Sequence, residues 1–452
     1  MTSYQYSQAE SKPELFWQTS FSDKAICFIG FIYFLLMPYH QALRLFSDNI
    51  VVIAWKDALL AMALPLCAIC SLDRSYPLML RSGLASAVVA ALILTAWGVL
   101  TNNFLVVFEA VLFVFGSAAC CVFFYRAIAK ALSSGTIPVS LLLIILSCCI
   151  FIVWISMEER LGIGSYFTSD DEIAIGYGQR FDMARARASF DASFSAGQWI
   201  WFVAVTAWTI GVMKGGVSRF WLFVFYAIAF CGIVYTLSRG PLLLFCISSI
   251  LAVIAFVVSN LKKRLVPTVI SVAVLSFVSP IVFFVLPGES SDVLIELAAS
   301  SGDENESSNQ IRKERWQAGI DLAQSTFPWG RGVQYFNLKT LVGTGEINEN
   351  TWLDYTTSLG VFGLLIVALY HFSLVLIMVK GALLWLSGSA PRNLSLLYPV
   401  YIGFPWIFYG FMFPTLASRF SCMIAWGIFG ASCAFTLMAG VKPVLSDEPR
   451  PQ

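Results

Sequence analysis

Apolar residues fill this chain in runs of about 18 to 25, broken by short polar stretches, from Ala25 to Ala439. Such a run with few charges predicts a membrane-spanning helix, because about 20 residues at 1.5 Å rise cross the hydrocarbon core of a bilayer. Spans are predicted near 25–43, 50–70, 83–100, 104–125, 137–156, 198–213, 219–237, 240–259, 266–286, 352–379, 396–413 and 420–439. The expected fold is all-α, a polytopic membrane protein of about twelve transmembrane helices with one large outer loop that contains a helix. Residues 1–286 hold the first nine spans and an outer loop at 157–197, residues 287–350 form the large loop, and 351–452 hold the last three spans and a tail.

The two long connections differ in texture. Glu289–Asn309 is rich in Ser, Asp and Glu without a sustained period and reads as an irregular polar loop. Ile311–Thr326 has helical composition and ends at Phe327-Pro328-Trp329-Gly330, where Pro and Gly stop a helix. The first twenty residues are polar and hold no cleavable signal, so insertion is expected to start from the first span.

Composition supports the pattern. Hydrophobic residues make up 58% of the 452 and charged residues only 12%, against about 25% in soluble domains. That excludes a soluble enzyme. A net charge of +1 gives no ground for a nucleic-acid partner. The eleven cysteines all lie in apolar runs, and even the Cys67/Cys70 pair sits one turn apart inside a span, where small apolar packing is the ordinary role.

The distribution of charge sets the orientation. With the N-terminus cytoplasmic, one side receives Lys12, Lys24, Arg74, Arg81, Arg126, Lys130, Lys214, Arg219, Lys262, Lys263, Arg264, Lys380, Arg392, Lys442 and Arg450. The short loops of the other side hold Arg44, Arg239 and Arg419. The positive-inside rule therefore predicts cytoplasmic termini and outward-facing long loops.

Charges at membrane depth are costly, so each needs a reason. Lys56, Asp57 and Glu109 fall near the outer ends of the second and fourth spans and are expected to pin helices together or to line an outward cavity. His40 ends the first span on the outer side, and His371 is expected deep in the tenth, toward the cytoplasm. With two histidines and no ligand-spaced grouping, no metal site is predicted. Ser169-Asp170-Asp171-Glu172 reads as a solvated acidic turn. No G-x-x-x-x-G-K-[ST] occurs, so nucleotide hydrolysis lacks its phosphate cradle.

The outward arginines carry more information. Arg185 and Arg187 precede the sixth span, Arg239 lies in the tight turn Leu237-Ser238-Arg239-Gly240-Pro241, and Arg312 and Arg315 open the loop helix, with Arg331 after its end. Guanidinium groups stay charged and grip phosphate oxygens in a planar fork. Loop arginines are often merely solvated, but a short inter-span turn confines Arg239.

Three stretches then resemble the O-antigen ligase and polysaccharide polymerase superfamily, whose members join lipid-linked glycans on the outer face of the bacterial inner membrane. They are Leu237-Ser238-Arg239-Gly240; Arg312-Lys-Glu-Arg-Trp316 followed by Pro328-Trp-Gly330-Arg-Gly332-Val-Gln-Tyr-Phe336; and Glu349-Asn350-Thr-Trp352-Leu353 with Gly360 and Gly363 beyond. The last is similar to the family's His-Asn-x-aromatic-Leu followed by Gly-x-x-Gly. A fourth stretch, Arg185-Ala-Arg-Ala-Ser-Phe190, is similar to a further family element and leaves either Arg185 or Arg187 as its arginine. Glu349 stands where ligases carry His, a departure that favours polymerase over ligase.

The resemblance implies a membrane glycosyltransferase of the inner membrane acting on an undecaprenyl-diphosphate-linked glycan donor and a glycan acceptor, the large loop being periplasmic. It implies Glu349, Asn350 and Arg185 as catalytic residues, and Arg239, Arg312, Arg187 and Arg315 as diphosphate-binding residues. No cofactor and no metal are expected. A lipid-linked sugar flippase is the rival class, and would show broken helices in two repeat halves with polar groups at the bilayer midplane.

Overall fold

In lipid no water is at hand for an exposed peptide group, so an apolar chain satisfies its backbone within each segment by coiling into helices. The computed structural model describes residues 20–40, 42–43, 50–100, 111–134, 136–161, 179–180, 183–184, 193–214, 218–260, 307–330, 350–387, 394–411 and 419–438. Its helices are α1 (Phe21–Leu36), α2 (Ile50–Leu72), α3 (Leu78–Leu100), α4 (Ala118–Ser134), α5 (Val139–Leu161), α6 (Ser193–Lys214), α7 (Ser218–Tyr235) and α8 (Arg239–Asn260). They continue with α9 (Ser307–Thr326), α10 (Thr351–Leu359), α11 (Val361–Ser387), α12 (Phe404–Gly410) and α13 (Arg419–Met438). A π-helical stretch, Leu112–Gly116, leads into α4, and Leu394–Leu397 and Pro399–Gly403 lead into α12. The one departure from all-α among the described residues is a two-residue ribbon, Gln179–Arg180 against Met183–Ala184.

Eight of the described helical stretches are long and apolar enough to cross a membrane, with Val224–Tyr235 and Leu394–Gly410 as shorter apolar helices. The expected span at 266–286 lies outside the described residues. Helix α6 is absent from the eight although its 22 residues reach about 33 Å. Trp199, Ile200, Trp201 and Phe202 are all enclosed, so α6 meets protein rather than lipid and can carry Gln198, Thr206 and Thr209. These find partners inside: Thr206 and Thr209 pair with the hydroxyls of Tyr398 and Tyr401 at 2.8 and 2.6 Å. Around α6 the aromatic rings of Phe34, Phe124, Trp199 and Phe202 form the centre of the core.

Two expected spans change shape. The fourth was expected to end at 125, yet α4 runs on through Arg126 and Lys130 to Ser134. Arg126 is accommodated because its Nε lies 3.0 Å from Asp23 and its guanidinium lies 4.5 Å over the Tyr76 ring, while Tyr76 also donates to Asp23. The tenth, expected as one helix over 352–379, is broken at Gly360 into α10 and α11. Lys56 meets His40, Nζ to Nε2 at 2.6 Å, both buried. Glu109 and the acidic turn at 170–172 lie outside the described residues. Cys67 and Cys70 are buried and unbridged.

Candidate functional site

The break at Gly360 builds the site. Gly360 has φ 59 and ψ −134, a region that side chains with a Cβ avoid, and its N–H closes α10 on Thr356 O at 2.8 Å. From there the chain reverses. Gly363 packs directly on the Tyr355 carbonyl, and Trp352 stacks on His371, so α10 lies antiparallel along the first turns of α11. Helix α11 has 27 residues, about 40 Å, which exceeds the hydrocarbon thickness by about 10 Å. The hairpin turn lies at the N-terminal end of α11. His371 therefore stands level with Trp352 and Asn350, not deep toward the opposite side as the unbroken span implied.

A second contact fixes the hairpin tip. After α9 the chain turns through Phe327–Trp329 to Gly330, which also has a positive φ of 75. The Pro328 carbonyl accepts from Val361 N at 2.9 Å and fills the space of a Gly360 Cβ, while the Gly360 and Leu359 backbone nitrogens fill that of a Gly330 Cβ. Helices α9 and α10 thus end on the same contact and pack along each other. Counted back from that end, Arg315 lies about 16 Å and Asn350 about 14 Å away, so both stand at about one height. Arg315 is half-buried there.

Asn350 is fully engaged. Its Oδ1 caps α10 by accepting from Trp352 N and Leu353 N at 2.9 and 3.2 Å, and its Nδ2 donates to the Phe411 carbonyl at 2.8 Å. Phe411 follows α12, and two residues back along α12 Tyr409 reaches the arginine turn. The Tyr409 ring fills the space above Gly240, where a Cβ would come within 2.5 Å. The Tyr409 hydroxyl accepts from Gln198 at 3.1 Å, and Ser421 donates to Gln198 at 3.0 Å.

The arginine turn itself is tightly held. Leu237 adopts φ 46, rare for a side chain with a Cγ, with its N–H on Val234 O at 2.9 Å. Ser238 bonds the Thr236 carbonyl at 3.1 Å and the Ser193 hydroxyl at 3.0 Å. Arg239 then opens α8, half-buried, with Ser238 preceding it as the cap position. One more ionisable group lies at the site. Asp354, a turn beyond Asn350 on α10, is 7% exposed, and burial pushes its carboxyl up to about 8.

Arg239, Asn350 and Arg315 are therefore brought to one end of the bundle through Tyr409, Phe411 and the α9–α10 packing. Arg312 lies one turn before Arg315 on α9, with its side chain outside the described residues. Arg185, Arg187, Arg331 and Glu349 also lie outside them. Sequence reasoning missed Gln198, Asp354, Tyr409 and Phe411, which sit in apolar runs or a first helical turn and signal nothing by spacing.

No curated protein matches the chain. Residues 222–368 match the family model described as O-antigen ligase. That stretch holds Leu237–Gly240, the α9 motif and the α10–α11 hairpin, the three parts whose contacts are given above, and leaves the 185–190 stretch outside. Over residues 222–368 the chain therefore carries a domain similar to O-antigen ligase.

Proposed function

We propose that this membrane enzyme is a polymerase of lipid-linked saccharide repeat units on the periplasmic face of the bacterial inner membrane, with both termini cytoplasmic. The observation that supports it best is the meeting of Arg239, Arg315 and Asn350 at one end of the bundle, around Tyr409 and Phe411. The donor is an undecaprenyl-diphosphate-linked glycan. Arg239 and Arg315, with Arg312 and Arg185 or Arg187, neutralise the diphosphate as the sugar C1–O bond breaks and the lipid diphosphate departs with the electron pair. Glu349 takes the proton of the acceptor hydroxyl as its oxygen bonds to C1. Asn350 holds the α10 end against α12 so that Glu349, its neighbour in sequence, is correctly placed. The cations come from arginine, and no metal enters the reaction.

Ligation to lipid A core is the second reading, favoured by the description of the matching family model. Glu349 in the place of the ligase His favours polymerisation. The purified protein, given lipid-linked repeat units with and without lipid A core in excess chelator, is expected to lengthen the repeat units in both cases. Transfer only to lipid A core would establish the ligase, and transfer restored only by magnesium would overturn the arginine-only account.

A further inference from the structure

The ring stack beside Asn350 carries two buried polar atoms of opposite kind. His371 is 4% exposed, and its Nδ1 lies 2.8 Å from the Val367 carbonyl. A carbonyl only accepts, so Nδ1 carries the hydrogen and Nε2 the lone pair. Nε2 is buried and has no hydrogen-bond partner among the described residues. The Trp352 indole stacks on that imidazole, centroids 5.1 Å apart and planes 24° apart. Its Nε1, which only donates, is also buried without a partner among the described residues. Phe411 also stacks on Trp352, 5.6 Å away and 13° from parallel, and is 46% exposed.

A buried polar atom left unpaired costs about 1–3 kcal/mol, so two on adjacent rings call for a shared explanation. A phosphate or carboxylate only accepts and would face the Nε2 lone pair unfavourably. An ammonium only donates and would leave the indole N–H unanswered. A hydroxyl meets both needs, donating its hydrogen to Nε2 and accepting from Nε1–H on its oxygen. The exposed ring of Phe411 adds apolar surface of the kind that covers the C–H face of a sugar ring.

We propose that the Phe411–Trp352–His371 stack is a subsite for a neutral hydroxyl of the glycan, with His371 Nε2 as its acceptor and Trp352 Nε1 as its donor. The assignment rests on the glycosyl-transfer reading and adds a recognition element that none of the family stretches supplies for His371. The subsite adjoins Asn350, whose Nδ2 donates to the Phe411 carbonyl and whose Oδ1 accepts from Trp352 N.

The chain has two histidines, His40 and His371, so selective 15N-histidine labelling gives few signals, and His371→Phe assigns them. The probe is the glycan released by mild acid from the host's lipid-linked repeat unit, with its fully O-methylated form as control. The His371 Nε2 signal is expected to move from a bare to a hydrogen-bonded nitrogen with the free glycan, and to stay still with the methylated one. In transfer assays Trp352→Phe and His371→Phe, each keeping a ring, should raise the acceptor KM about tenfold with kcat nearly unchanged. A wild type that transfers normally while the His371 signal ignores the glycan, or variants with unchanged KM, would overturn the subsite alone. A wild type that transfers nothing but whose His371 signal still moves would overturn the transfer reading and leave hydroxyl binding standing.

Discussion

Replacing Asn350 separates two roles that one side chain performs. Its Oδ1 caps α10 and its Nδ2 holds the Phe411 carbonyl. Loss of a cap costs about 1 kcal/mol, and loss of a buried hydrogen bond, with a carbonyl left behind, about another 1 to 2. Asn350→Ala is therefore expected to loosen α10 by about 2 kcal/mol, or about 30-fold faster amide exchange at Trp352 and Leu353 by hydrogen–deuterium exchange. Asn350→Asp keeps the cap, and a carboxylate suits a helix N-terminus, but it sets two acceptors against each other at Phe411. Its Trp352 and Leu353 amides should stay protected while transfer falls at least tenfold, because the hairpin no longer registers on α12. Asn350→Ser should behave likewise, more mildly. Asp and Ser variants with full transfer would show that the Phe411 tie has no part in placing the site. An Ala variant with wild-type exchange would refute the cap itself.

Arg239→Ala should abolish polymer while the protein accumulates normally, and Arg239→Lys should restore only part of it, since an ammonium lacks the bidentate fork; full activity in the Ala variant removes Arg239 from the site. Gly360→Ala places a Cβ on the Pro328 carbonyl at φ 59, so folded protein in the membrane fraction should drop sharply, and normal yield would refute the Pro328–Gly360 contact. Asp354 is protonated in the folded protein up to about pH 8 but ionises near 3.8 when unfolded, so its contribution is complete below pH 4 and is lost as pH rises to about 8. The gap caps that loss at about 6 kcal/mol, and Asp354→Asn should remove the pH dependence of melting between pH 5 and 8; an unchanged slope would refute it.

Apolar periodicity alone was enough to locate most of the helices, because a segment in lipid has no alternative way to satisfy its backbone, and α2, α5, α7, α8 and α13 lie within a few residues of expectation. The arginine turn and the Pro-Gly stop after α9 were legible for the same local reason. Other features depended on neighbours. The continuation of α4 through Arg126 required Asp23 from α1 and Tyr76 from the turn before α3, and the polarity of α6 is tolerable only because other helices enclose it. The reversal at Gly360 is invisible in a run of apolar residues that fits one straight span. Only Gly330 arriving from another helix, and Gly363 opening room for the Tyr355 carbonyl, make a folded-back α10 the better packing. That single decision carries His371 up to Asn350. Which residues form helices followed from local chemistry, whereas which side chains share the site was decided by close backbone contacts between segments far apart in the chain.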